Sequence, residues 1–433
     1  MAGVYFLYSL LLALALVLLL PWWLVQMLRL GKYRAGLSER LGFVPGRIRP
    51  AKDDARPVCW IHAVSVGEAL AIAPLVAGLG EQGLRVVLST TTHTGQRLAR
   101  QKFGEENVFY FPLDLGVCIR PYLRALQPRL VVLAETEFWP NFLRLAAASG
   151  ARVAVVNARI SDRSYPRYLR CRRLLSRALQ PVQLFLAQSE DDAERLRELG
   201  ARQVEVTGNL KFDVAPPVES AAVAELGARL REAGDPILVA GSTVEGEEEY
   251  VLQAFRMVLG EYPGARLVLA PRHKERFDQV ARMMSMRRFR YVRRSSAQAA
   301  TAELDGAVLL LDTLGELAAV YRYADIAFVG GSLVPRGGHN ILEPAYFARP
   351  ILTGEHTENF REIMSCFERK RAVVRCTPQN LGITCLLLLR ETAERVALGE
   401  RAQQVLIEQR GATARTLTRL LQVAEEARCS PIR

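Results

Sequence analysis

The chain has 433 residues, half of them hydrophobic, and a formal charge of +12 from 57 Lys and Arg against 45 Asp and Glu. That length suits two domains of about 200 residues, each with a sizeable core. The positive excess suits an anionic partner. No RNA-binding signature, zinc-finger spacing or aromatic–basic alternation accompanies it, so a membrane or phosphorylated partner is preferred and nucleic acid is not. The seven cysteines (Cys59, Cys118, Cys171, Cys366, Cys376, Cys385 and Cys429) are odd in number and contain no C-x-x-C pair. This argues against a disulfide framework and zinc ligation, and for reduced thiols in a cytosolic compartment.

Residues 1–28 carry no charge and run through a Leu/Ala-rich core to Pro21, Trp22 and Trp23. About 20 apolar residues span a bilayer, so the stretch is long enough. The paired tryptophans fit an interfacial belt, and Arg29, Lys32 and Arg34 behind them put the rest of the chain on the cytoplasmic side. A cleaved signal peptide would start basic and end at a small-residue cleavage site, and both are missing. Pro21 leaves open a straight span and a bent anchor at the surface.

Tyr33 to Gly42 reads as a basic connector in which Glu39 is a solvated charge. Val58 to His62 is the first expected strand, Ala63 to Gly67 a loop, and Glu68 opens a helix over Ala69 to Leu79. A carboxylate at the mouth of a strand-to-helix turn stands where open α/β sheets bind ligands. It is either a base for an alcohol or a complement to the helix dipole; His62 either holds it or is a core histidine. Arg85 to His93 is the next strand, with Thr94 and Gly95 capping a basic helix. Val108 to Phe111 and Leu130 to Ala134 follow. The latter runs into Glu135 and Glu137, two carboxylates that are costly at a buried strand end unless paired or exposed in a cleft. They share a side if the strand continues, and Glu135 reads as functional. Val153 to Val156 leads to Arg159. From Arg159 to Arg177 seven arginines meet one acid, Asp162, which describes a solvated helix face or a site for an anionic lipid. Leu184 to Ala187 is a strand with a helix behind it. Lys211 lies just past a strand at Val204 and before Pro216-Pro217, the candidate hinge.

Pro236 to Ala240 opens a second strand–helix series. Gly241 to Gly246 is a small-residue loop in which Ser242 and Thr243 donate to an anion or cap a helix. Ala265 to Ala270 delivers Pro271, Arg272 and His273, a positive fork suited to phosphate or carboxylate. Arg282 to Arg294 holds six arginines and no acid. Val308 to Asp312 leads to a turn at Gly315, Glu316 and Leu317, whose backbone groups suit a base ring. Ile326 to Val329 is a buried strand, and Gly330 to Pro344 follows it. Its glycines give the backbone room to turn and approach a ligand. Asn340 caps a helix over Ile341 to Ala348, whose start suits a phosphate, and Glu343 suits ribose hydroxyls. His339, Asn340 and Glu343 on one such joint point to a nucleotide. Helices are expected over Asn359 to Glu368, Gln379 to Arg390 and Glu394 to Ala427, the last free to cross back to the first half.

Two strand–helix series joined near Pro216 predict paired Rossmann-like domains with a cleft between them. Six pieces, in order, closely resemble the Kdo transferases. These are GT-B glycosyltransferases that add 3-deoxy-D-manno-octulosonic acid (Kdo) from CMP-Kdo to lipid A precursors. The pieces are His62-Ala-Val-Ser-Val-Gly-Glu68, Glu135-Thr-Glu-Phe-Trp-Pro-Asn141, Asn157-Ala-Arg159-Ile-Ser, Gly208-Asn-Leu-Lys211-Phe-Asp213, Pro271-Arg272-His273 and Gly330 to Pro344. The resemblance implies an α/β GT-B fold: an anchor over 1–30, an acceptor domain over 31–215 and a CMP-Kdo domain over 216–433. It implies Glu68 as general base, with Glu135 and Lys211 near the reaction centre and Arg159 among the substrate contacts. Arg272, between Pro271 and His273, would hold the CMP phosphate. Gly315, Glu316 and Leu317 would contact CMP, and Asn340, Ile341, Leu342 and Glu343 would take its phosphate and ribose. It further implies an inverting transfer without metal or added cofactor. The acceptor would be a phosphorylated lipid, lipid IVA, at the cytoplasmic face of the inner membrane. Sugar-nucleotide epimerases share the two-domain build, but need neither the hydrophobic start nor a lipid acceptor.

Overall fold

The computed structural model describes residues 2–30, 35–51, 53–216, 218–232 and 234–429. Lys32, Arg34, Tyr33 at the start of the connector and Pro217 of the expected hinge lie outside the described residues. The chain divides into two compact units, one of residues 1–214 with 410–433 and one of residues 215–409. Each is built on a parallel sheet, seven-stranded among the described residues.

In the first unit β1 (Val58–His62), β2 (Arg85–Thr90), β3 (Val108–Tyr110), β4 (Leu130–Ala134), β5 (Arg152–Ala158), β6 (Leu184–Ala187) and β7 (Val204–Val206) take the order β3-β2-β1-β4-β5-β6-β7. In the second, β8 (Ile237–Thr243), β9 (Arg266–Pro271), β10 (Tyr291–Arg293), β11 (Val308–Leu310), β12 (Ile326–Val329), β13 (Ile351–Thr353) and β14 (Val374–Arg375) take the order β10-β11-β9-β8-β12-β13-β14. Unbroken apolar runs such as Leu130–Ala134 are buried along their whole length, as a strand covered on both faces requires. In each sheet the first strand is a switch point: β1 lies between β2 and β4, and β8 between β9 and β12. The C-terminal mouth of such a strand is where these folds bind ligands.

One face of the first sheet packs on Trp60, whose ring lies 5.3 Å from Phe109 and 4.7 Å from Phe142, centroid to centroid. The other face is covered by Ala73–Glu81 and by the last helix, Ala412–Cys429, through buried Leu75, Leu79 and Leu420. The carboxylate of Asp213 accepts the Gly411 and Thr413 N–H groups at 2.7 and 2.5 Å and fastens the start of that helix. The helix expected over 394–427 is therefore two, Thr392–Gln409 and Ala412–Cys429, parted at Gly411 with φ +97°.

Other expectations shift for local reasons. The helix after β1 starts earlier, as Val66–Ala71, and breaks at Ile72 ahead of Pro74 before resuming as Ala73–Glu81. Thr92, not Thr94, caps the helix His93–Phe103, accepting the Gly95 N–H at 3.1 Å. Glu39 is not solvated. It is buried, paired with Arg47 at 2.6 Å, and accepts the Tyr110 N–H at 2.7 Å.

The N-terminal helix spans Ala2–Leu30 with Pro21 inside it, and its Gly3–Met27 segment is long and apolar enough to cross a membrane. Phe6, Leu10, Leu14 and Leu18 are exposed along it. Its first turns meet the first unit: Asn141 Nδ2 donates to Ser9 Oγ at 2.9 Å, and the Arg144 guanidinium lies 4.9 Å above the Tyr5 ring.

Candidate active site

At the mouth of β1 the chain turns into Val66–Ala71 through a reciprocal cap. Ser65 Oγ accepts the Glu68 N–H at 3.3 Å, while the Glu68 carboxylate accepts the Val64 N–H and the Ser65 hydroxyl, both at 2.8 Å. The S-x-x-E spacing of Ser65 and Glu68 is the sequence signal for this box, which makes Ser65 part of the site. The cap fixes the carboxylate's direction. Burial raises the Glu68 pKa and the neighbouring Glu135 raises it further, against the two hydrogen bonds and Lys211, which lower it. His62 does not hold Glu68. Its ring is buried, stacks 3.9 Å from Phe111, and places Nδ1 3.1 Å from Ser89 O and 3.0 Å from Ser89 Oγ. Burial pushes its pKa down to about 3, so it is a neutral core histidine.

Past β4 the strand does not continue. Glu135 has φ +57°, a left-handed turn, so Glu135 and Glu137 are not alternate residues of a strand. The turn sets the Glu135 carboxylate between Lys211 Nζ at 3.1 Å and Arg159 Nε at 3.4 Å. Lys211 stands on a single 3-10 turn, Leu210–Asp213. Asn209 Oδ1 accepts the Lys211 N–H and Asn157 Oδ1 accepts the Leu210 N–H, both at 3.0 Å. The Glu135 carboxylate and these two cations form one charged group. Glu137 joins it electrostatically: burial first, then Glu68 and Glu135, push its pKa up to about 7. Of the arginine run only Arg159 takes part in this group. Arg163, Arg167, Arg170, Arg172, Arg173 and Arg177 are exposed, on and beside the short helices Tyr165–Arg170 and Arg172–Leu179.

In the second unit β8 runs on through Ser242 and Thr243, so these residues do not form a helix-capping loop. Ser242 has φ +55°, and the register against β9 shifts there. Thr243 is fully buried and its hydroxyl donates to Glu248 Oε1 at 3.4 Å. The following helix, Glu248–Glu261, begins behind Glu247, a residue sequence reading did not single out. Fully buried, the Glu247 carboxylate accepts the N–H groups of Val244 at 3.0 Å and of Gly331, Ser332 and Leu333 at 2.7 Å each. The glycine loop after β12 thus closes on the protein's own anion. Gly330 is required there: a Cβ would stand 2.7 Å from Ser242 O and from Thr243 Cα.

Asn340 does not cap an eight-residue helix. The helix is only Leu342–Ala345, and Ala348 turns left-handed at φ +51° just before Arg349-Pro350. Asn340 instead bridges the turn, accepting the Leu342 N–H at 3.2 Å and donating from Nδ2 to Glu343 Oε1 at 3.3 Å. Burial raises the Glu343 pKa to about 6, with Asn340 and Arg272 pulling the other way. Burial, then Arg272 and His273, lower His339 to about 4. Arg272, His273, His339, Asn340 and Glu343 therefore share one neighbourhood. Arg272 and His273 are exposed just past β9 and its buried last residue Pro271, and the Arg272 N–H is tied to Thr243 O at 2.8 Å. Ile341 and Leu342 are buried. The Glu316 side chain is committed, receiving Arg294 Nη2 at 2.9 Å and the Thr313 hydroxyl. At Gly315, Glu316 and Leu317 it is then the backbone that is left for a ligand, at a turn where Gly315 is exposed with φ +91°. Among the described residues no three His, Cys, Asp or Glu side chains gather as metal ligands.

Residues 35–214 match the family described as 3-Deoxy-D-manno-octulosonic-acid transferase (kdotransferase). The 3-deoxy-D-manno-octulosonic acid transferase of Haemophilus influenzae is 36% identical over 393 residues, covering 89% of this chain and 91% of that protein. That of Bordetella pertussis is 36% identical over 403 residues, covering 89% and 93%. Among solved structures, the UDP-GlcNAc 2-epimerase of Neisseria meningitidis shares the fold with a TM-score of 0.56, at 14% identity over 84% of this chain and all of that one. At that identity the likeness is one of architecture, the expected GT-B type. The two transferases match nearly end to end, and the chain belongs to the Kdo transferase family of glycosyltransferases.

Proposed function

We propose that the chain moves Kdo from CMP-Kdo to a phosphorylated lipid A precursor, lipid IVA, with inversion at the anomeric carbon. The CMP moiety is held on the second unit, its phosphate by Arg272 and its ribose by Glu343. A hydroxyl of the acceptor attacks the anomeric carbon as the bond to the phosphate oxygen breaks. CMP departs with the electron pair, and Glu68 takes the hydroxyl proton. The observation that carries this reading is Glu68 itself: Val64 and Ser65 fix its direction, while burial and Glu135 make it more basic than an exposed glutamate. A base so placed contributes about 10²–10⁴-fold.

Lys211 and Arg159, held at Glu135, bring positive charge close to Glu68, which suits an anionic group of the substrates. A guanidinium meets the charge on the departing phosphate, so the step calls for neither metal nor added cofactor. The apolar helix Ala2–Leu30 suits work on a lipid, and Arg29 at its end favours the cytoplasmic side of the inner membrane. The test is to incubate the full chain with CMP-Kdo and tetraacylated lipid A precursor and weigh the products by mass spectrometry. The acceptor should gain one or more Kdo units as CMP is released. An acceptor of unchanged mass would reject the reading, whether or not CMP appears.

A further inference from the structure

We propose that Glu247 is a positioning residue for the donor site, an internal anion that shapes the loop on which His339 and Asn340 are mounted. The inference rests on the second unit being the CMP-Kdo side. A carboxylate with no exposed surface is costly unless its lone pairs are satisfied. Glu247 is satisfied by four backbone N–H groups, three of them successive at Gly331, Ser332 and Leu333. Successive amides of this kind make a concavity that otherwise takes a phosphate. Here it is filled from within, so the donor's phosphate falls to Arg272 and the Asn340 turn.

The grip reaches that turn in one step. Gly331, whose N–H goes to Glu247, accepts the Gly338 N–H at 2.7 Å. A Cβ on Gly331 would stand 2.7 Å from His339 Cδ2, so the histidine ring lies directly against its backbone. Ser332, the next residue, takes the His356 N–H on its carbonyl at 2.9 Å and the Gly354 N–H on its hydroxyl at 2.8 Å. Movement at Gly331 is therefore movement at Gly338, His339 and Asn340. Glu248 is a built-in control. It is equally buried, but it turns to Arg276 at 3.2 Å and to Thr243.

The test compares donor and acceptor kinetics of Glu247→Gln and Glu248→Gln in the full chain. Glutamine keeps the shape of Glu247 but turns an NH₂ toward N–H donors. Its KM for CMP-Kdo should rise about tenfold or more with the acceptor KM within about twofold, while Glu248→Gln leaves both within about twofold. Should Glu247→Gln fail to fold, Glu247→Asp keeps the charge, shortens the reach and should show the same split at about threefold. A wild-type donor KM in the folded Glu247 variant, or an equal donor loss in Glu248→Gln, would overturn the proposal. A wild-type chain with no CMP-Kdo turnover would overturn the functional reading and this assignment together. That result is distinct from an active wild type whose Glu247 variants keep the donor KM.

Discussion

Glu68 and Glu247 stand at the same kind of joint, each at the mouth of the first strand of its sheet where a helix begins, and they are held in opposite ways. Glu68 is held by one N–H and one hydroxyl and is partly exposed, so each of its oxygens keeps a lone pair for a ligand. Glu247 is wrapped by four amides and sees no solvent. The difference lies in the neighbouring strand. Beyond β4 the chain turns through Glu135, which adds a second carboxylate and makes Glu68 more basic. Beyond β12 it turns through Gly330 and Gly331, which let backbone amides close around an anion. Under the proposed function, one residue type at one topological position is a reactive group in one unit and a structural one in the other.

Four substitutions probe this contrast. The largest effect belongs to Glu68→Gln, which should lower kcat by about 10²–10⁴-fold in a transfer assay. A rate near wild type would make Glu68 a structural residue like Glu247. Lys211→Met should cost less, about 10–10²-fold in kcat, because Arg159 stays beside Glu135. An unchanged kcat would remove the Glu135 pair from the chemistry. Glu135→Gln removes a negative charge that raises the Glu68 pKa. The acid limb of its pH–rate profile should therefore move to lower pH, and an unmoved limb would separate the two carboxylates.

The smallest effect is on stability. Folding raises Glu137 from 4.5 to about 7, so the folded state binds that proton more tightly. The wild type then loses stability as pH climbs from about 4.5 through 7, by on the order of 1–3 kcal/mol. Glu137→Gln lacks this loss. Its Tm relative to wild type should rise between pH 5 and 8, and a constant difference would mean that Glu137 is not perturbed.

Much of this was legible in the chain because its signals are local. β4 and β12 read as unbroken apolar runs because both their faces are covered. Glu68, Arg159, Lys211 and Arg272 stood out as charged residues beside strand ends. What escaped depends on distant backbone. The amides that hold Glu247 lie 84 to 86 residues away for Gly331, Ser332 and Leu333, and leave no side-chain pattern to find. Glu39 looked solvated because its partner at Tyr110 lies 71 residues on. The left-handed turn at Glu135 replaced an expected strand alternation. The helix at Leu342 stops short where Ala348 turns left-handed, two residues ahead of Pro350.

The claim at the centre of this account is that Glu68 does chemistry and does not hold the nucleotide. Calorimetric titration of CMP into folded Glu68→Gln tests it most directly. The dissociation constant should stay within about twofold of wild type. A tenfold weaker constant would place Glu68 in nucleotide binding and contradict its assignment as the base.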